Sequence, residues 1–230
     1  MARNPKIAIF DLDDTLYSYN ASHTHAQSEL SNFLSKSLNI SFPDVEKGLS
    51  EARDKVKSRV ADQGSSHSRL LYISEYLRGT IGSSKPNLVL QAEQLYWQKY
   101  FIQMKLYDGV VELLTNLRLH GCKLILVTDL TLQIQLKKLV WLRLDSFFDI
   151  VIASEETAGD KHTGYPEELL NTLSSPVDQP VWTIGDKSHD HLWKDQSIFF
   201  NKTESGKLRQ QDDKIFEFSD FRDLVALLKD

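Results

Sequence analysis

A single cysteine, Cys122, in 230 residues excludes an intramolecular disulfide and fits a reducing compartment. Its place inside an apolar run reads as a small buried side chain. No apolar stretch approaches the ~20 residues that span a bilayer. Met1 to Lys6 leads straight into a strand without the apolar region of a signal peptide, so a cytoplasmic chain with no membrane partner is expected. A basic excess is missing too: 27 Lys and Arg against 32 Asp and Glu leave a net charge of -5, which argues against broad nucleic-acid binding and favours small-molecule partners. Internal repeats and low-complexity tracts are also lacking. What the chain does have is 41% hydrophobic residues, enough to bury a sizeable core without help.

Short apolar runs rich in branched residues recur at Ile7 to Phe10, Leu124 to Val127, Ile150 to Ala153, Val181 to Ile184 and Ile198 to Phe200. Each is bounded by turn residues or charges, as buried strands are. Leu132 to Leu144 and Pro166 to Leu173 carry helical spacing between them, so the order predicts an α/β fold with a parallel sheet. Lys214 to Phe218 reads as a further edge strand, and Asp220 to Leu228 as a closing helix. Residues 19 to 105 break this rhythm with four amphipathic patterns. They run through Leu30, Phe33, Leu34 and Leu38; Val45, Leu49, Ala52, Val56 and Val60; Leu70, Ile73 and Leu77; and Leu88, Ala92, Leu95 and Ile102. Such helices bury one another's faces as a small bundle. The expected division is therefore 1–18 with 106–230 as the α/β domain and 19–105 as an inserted helical domain.

Asp11, Asp13 and Asp14 place three acids in four residues at the end of the first strand. Their mutual repulsion costs stability unless a cation or a proton relay uses it. The other strand ends present Thr128, then Lys161, then Asp186 with Asp190. Parallel sheets bind ligands at the carboxyl ends of their strands. A carboxylate nucleophile, a second carboxylate, a hydroxyl, an ammonium and a distant acid together suit phosphoryl transfer.

With Phe10-Asp11-Leu12-Asp13-Asp14-Thr15, an apolar strand ending in Thr128, Lys161 further on and Gly185-Asp186-Lys187-Ser188-His189-Asp190, the chain resembles the haloacid dehalogenase superfamily. The resemblance implies a Rossmann-like core with the insertion as a helical cap. It also implies that Asp11 is a nucleophile forming an aspartyl-phosphate, and that Asp13 protonates the leaving alcohol and activates water. Mg2+ would be held by the Asp11 and Asp186 carboxylates and the Asp13 main-chain carbonyl, supported by Asp190. Thr128 and Lys161 would hold the phosphoryl oxygens, with Asp129 beside them in the phosphate-binding turn. Because an acid follows the nucleophile at Asp13, the resemblance favours a phosphatase over a dehalogenase.

Two features depart from the family pattern. Asp129 stands where Asn or Gly is common, and its side chain is expected to point away from the phosphate. The lysine motif runs Lys161-His162-Thr163-Gly164-Tyr165-Pro166 instead of Lys-Pro, which leaves Lys187 as a substitute cation. Substrate choice is expected from the insertion. There Arg53, Lys55, Lys57 and Arg59 either meet an anionic or polyhydroxyl substrate or form a solvated face. His23 and His25 lack the spacing of a metal pair. Tyr17 and Tyr19 are expected to shape the entrance, and Tyr96, Trp97, Tyr100 and Phe101 to stabilise the helices. The reading is a Mg2+-dependent phosphatase of a sugar or polyol phosphate, monomeric or homodimeric. The alternatives are a nucleoside monophosphate phosphatase, a phosphotransferase or phosphomutase, and a non-catalytic module of the same fold.

Overall fold

The computed structural model describes residues 4–174, 179–193, 197–201 and 208–228. The chain divides into two compact units, Met1–Ser18 with Lys105–Asp230 and Tyr19–Met104, which puts Lys105 with the sheet. Among the described residues no helix is long and apolar enough to cross a membrane.

Among the described residues the first unit is built on a seven-stranded sheet. Its strands are β1 (Ile7–Phe10), β2 (Lys123–Thr128), β3 (Ile150–Ala153), β4 (Val181–Gly185), β5 (Ser197–Asn201), β6 (Arg209–Gln210) and β7 (Ile215–Phe218), in the spatial order β3-β2-β1-β4-β5-β7-β6. All pairs are parallel except β6 with β7. All four residues of β1 are buried, as a parallel strand covered on both faces requires. Ile9 stands between Ile125 of β2 and Thr183 of β4. Ile7, Ile9, Ile125, Val127 and Ile152 form one core face with Leu170 and Trp193. From β1 the chain builds outward first to β2 and β3, then to β4 and β5. The strand order therefore reverses at β1, and a crevice opens there at the carboxyl ends.

Helix α5 (Val110–Leu119), which the sequence reading passed over, packs on β2 and on α8 (Phe221–Val225). Its start depends on Gly109 at φ +79°, where a Cβ would stand 2.8 Å from the Arg222 nitrogen. Three expectations need correction. Lys214–Phe218 is not the sheet edge, because β6 pairs outside β7; an exposed two-residue strand carries no readable alternation. Helix α6 (Leu132–Trp141) stops before Leu144, because Arg143 takes φ +58° and Leu144 N–H bonds back to the Leu139 carbonyl at 2.9 Å. The closing helix ends at Val225, and tighter turns carry the chain on: Leu227 N–H bonds to Leu224 O and Leu228 N–H to Val225 O.

The second unit holds helices α1 (Tyr19–Leu38), α2 (Phe42–Arg59), α3 (Arg69–Ile81) and α4 (Pro86–Gln103). Helix α1 packs on α4, and α2 on α3. Ser41 caps α2 and Ser68 caps α3 through their hydroxyls, while Gly82 ends α3 in the left-handed region. In α4 the buried face is Val89, Ala92, Tyr96 and Tyr100, rotated from the expected stripe, and Ile102 is 59% exposed. Tyrosines fill the interior here, and a stripe drawn through aliphatic residues misses them.

Candidate active site

Strand β1 ends where its apolar run ends, yet Asp11 keeps the ladder going by donating its N–H to the Ile184 carbonyl at 3.0 Å. Buried Leu12 and Leu16 fold the following loop back onto the sheet, with Asp14 turning at φ +63°. Thr15 in that loop donates its hydroxyl to Asp11 Oδ2 at 2.9 Å. On the other side Lys161, in a short 3-10 turn after β3, donates Nζ to Asp11 Oδ1 at 2.6 Å and also to Asp190 Oδ1. The Lys161 loop is itself tied to β2, since Asp129 Oδ1 accepts the Lys161 N–H at 3.0 Å. Asp190 closes the loop after β4: its Oδ2 accepts from the backbone of Asp186 at 3.2 Å and of Lys187 at 2.8 Å. Gly185 makes this possible, because a Cβ there would lie 2.3 Å from the Asp190 Cβ.

One oxygen each from Asp11, Asp186 and Asp190 lies within 4.8 Å of the others. Burial pushes Asp11 up to about 8; Lys161 opposes the shift, while Asp190 and Asp13 add to it. Burial and Asp190 also raise Asp186, to about 6. Burial disfavours the Lys161 charge, but Asp11 and Asp190 hold this ammonium above its ordinary range. Asp11 and Asp190 thus share one buried ammonium, Asp186 beside them pairs with the exposed Lys187, and the buried part of the cluster is short of positive charge. Clustered carboxylate oxygens that lack a counter-charge fit a hard divalent cation such as Mg2+.

A second group surrounds Asp13. Lys138 of α6, 1% exposed at its side chain, places Nζ 2.7 Å from both Asp13 oxygens. The Tyr17 hydroxyl donates to Asp13 Oδ1, and Gln135 Nε2 reaches Asp13 Oδ2 at 3.4 Å. Gln135 also donates to the Thr128 hydroxyl and to the Asp129 carbonyl, both at 2.6 Å, and so ties β2 to the acid. Burial favours a protonated Asp13, but Lys138 outweighs it and holds the carboxyl below its usual range.

The structure therefore brings Asp11, Lys161, Asp186 and Asp190 together, with Asp13 and Thr128 joined through Gln135. Lys187 reaches the cluster only at its exposed rim: its side chain is 57% exposed and pairs with Asp186 at 3.6 Å. The Asp129 carboxylate is occupied by the Lys161 backbone. Sequence reasoning missed Gln135 and Lys138. They share one buried helical stripe with Ile134 and Leu139, and polar residues on such a stripe read from sequence as its solvated edge. In the helical unit, His23 shares a hydrogen bond with the Tyr96 hydroxyl at 2.8 Å.

Residues 8–193 match the family model described as haloacid dehalogenase-like hydrolase. A ribulose-1,5-bisphosphate 5-phosphatase of Halopiger xanaduensis is 31% identical over 169 residues, 72% of this chain and 68% of that protein. A glyceraldehyde 3-phosphate phosphatase of Methanocaldococcus jannaschii is 26% identical over 231 residues, 96% of each chain. Among solved structures, a phosphatase of the same fold from Thermococcus onnurineus superposes with a TM-score of 0.67 at 18% identity, covering 96% of this chain and 97% of its own. A 2-haloacid dehalogenase from Pseudomonas syringae does so at 0.69 and 16%, covering 99% and 98%.

Proposed function

The chain belongs to the haloacid dehalogenase-like hydrolase family and is a phosphoric monoester hydrolase; we propose that it uses Mg2+ and an aspartyl-phosphate to dephosphorylate small sugar phosphates. The observation that carries this reading is the pairing of Asp11 with Lys161 at 2.6 Å, beside Asp186 and Asp190, at the point where the strand order reverses.

Asp11, oriented by Lys161 at Oδ1 and Thr15 at Oδ2, attacks phosphorus through a carboxylate oxygen, the bond to the leaving oxygen breaks, and an acyl phosphate remains on Asp11. Asp13 gives its proton to the leaving alkoxide. It then takes one from the water that cleaves the acyl phosphate and regenerates Asp11. Lys138 holds Asp13 ionised at rest; the arrival of a phosphate dianion adds like charge that raises its proton affinity, so Asp13 takes a proton from solvent before passing it to the alkoxide. Lys161 and the Thr128 hydroxyl hold phosphoryl oxygens, whereas Asp129, one of whose carboxylate oxygens accepts from the Lys161 backbone, would serve the phosphate through its main chain. The Asp11, Asp186 and Asp190 carboxylates and the Asp13 carbonyl would hold Mg2+, which supplies charge neutralisation when bound.

Sugar phosphates are favoured because the two curated relatives named above carry the names of phosphatases of phosphorylated three- and five-carbon carbohydrates. The helical unit is read as a cap. Both of its connections leave the α/β unit from beside the catalytic loop, where Tyr17 bridges to Leu106 and Tyr107 N–H bonds to the Leu16 carbonyl. Replacing Asp11 with Asn is expected to abolish hydrolysis of p-nitrophenyl phosphate with Mg2+ present while circular dichroism stays unchanged. Wild-type turnover in that variant would sink the assignment.

A further inference from the structure

The helical unit contains a cavity of about 380 Å³ that the reaction above does not use. That volume suits a small ligand. Leu49 and Ile73 supply apolar wall, and the acidic and basic side chains facing it are His23, Glu46, Arg53 and Arg69, beside the neutral Gln27, Ser50 and Tyr72.

Arg69 is the unusual member. It is 8% exposed, yet no carboxylate pairs with it among the described residues. Its guanidinium lies 5.2 Å from the ring centres of both Tyr72 and Tyr96. One terminal nitrogen donates to the His67 carbonyl at 3.2 Å and the other to the Tyr19 hydroxyl. Its Nε is buried with no acceptor among the described residues. A buried cation met only by neutral oxygens and ring faces carries a desolvation cost that an anion beside it would offset. Arg53 adds a second positive charge at the more exposed wall, and Glu46 is the one acid lining the cavity. His23 adds no charge near neutral pH: burial, with Arg69 and Arg53, pushes it down to about 4.

We propose that this cavity is a binding site for a small organic anion, with Arg69 Nε and Arg53 receiving its phosphate or carboxylate group and Leu49 and Ile73 its carbon skeleton. Two sources supply that chemistry: the second anionic group of a substrate, or a separate small anion. The first rests on the phosphatase reading; the site itself does not.

The test is NMR of arginine Nε–H signals in the full-length protein, titrated with inorganic phosphate and separately with malonate. The Arg69 signal, assigned by its loss in Arg69→Lys, is expected to shift saturably with either anion, and equally in Asp11→Asn. Arg53→Glu is expected to weaken both affinities by about tenfold or more. This surface variant keeps the test valid if Arg69→Lys fails to fold, the arginine signals then being assigned by triple-resonance spectra. A signal that does not move, a shift that never saturates, or an unchanged affinity in Arg53→Glu overturns the site. A second arm compares kcat/KM for a sugar bisphosphate and its monophosphate. A fall in that ratio in Arg53→Glu identifies the anion as the substrate's second phosphate, and an unchanged ratio with weakened phosphate binding identifies a separate ligand. A protein that hydrolyses neither ester fails the phosphatase reading and leaves the titration standing.

Discussion

Three donors grip Asp13, and Lys138 dominates because it reaches both carboxylate oxygens at 2.7 Å from an almost fully buried position. Removing the ammonium removes what stabilises the charged carboxylate, so the Asp13 pKa must rise in Lys138→Met. The base form then forms only at higher pH. The acid limb of the kcat profile, where hydrolysis of the acyl phosphate needs that base, is expected to move upward, and kcat to fall by about 100- to 1,000-fold, within the range of general acid–base contributions. A pH–rate profile superposable on wild type would show that Lys138 does not set the acid's charge. The two acids were legible in the sequence because Asp11 and Asp13 end an apolar run. Lys138 was not, because a lysine in an amphipathic helix ordinarily reaches solvent, and only the fold shows this one turned inward.

Helix α2 carries a glycine, Gly48, in its interior, where propensity alone favours alanine by about 1 kcal/mol. Packing explains it: a Cβ at Gly48 would lie 2.5 Å from Cε2 of Tyr76, a 4% exposed ring on α3. Overpacking of this kind costs about 1–3 kcal/mol. Gly48→Ala is therefore expected to destabilise by roughly 1 kcal/mol net of the propensity gain. Urea unfolding of the full-length protein checks this, and a variant more stable than wild type would refute the close approach. At this scale β1 to β5, and the existence of four inserted helices, followed from periodicity and breakers. The inward face of α4 did not, because its tyrosines bury rings that hydropathy counts as half polar.

Across the whole molecule, residues from strand ends far apart in sequence make one charged cluster, in which Asp11 and Asp190 share the buried Lys161 ammonium and Asp186 stands beside them, paired with exposed Lys187. Binding a divalent cation there stabilises the folded state by mass action, by about 2.7 kcal/mol at one hundred times Kd. For a chain of this size that raises Tm by roughly 5–10 °C. Mg2+ is expected to produce this shift in wild type and to produce little in Asp186→Asn; equal shifts in both would place the ion elsewhere. From the sequence alone came the alternation that makes a parallel sheet, the insertion that interrupts it and the acids and lysine at its strand ends, since local periodicity and turn chemistry are written residue by residue. Only the tertiary structure decided that Lys161 rather than Lys187 meets Asp11, that Lys138 and Gln135 hold Asp13, and that Arg69 is buried with no acid paired to it among the described residues. Those outcomes depend on which loops the strand order brings side by side, and the pairing of distant charges is a property of that proximity.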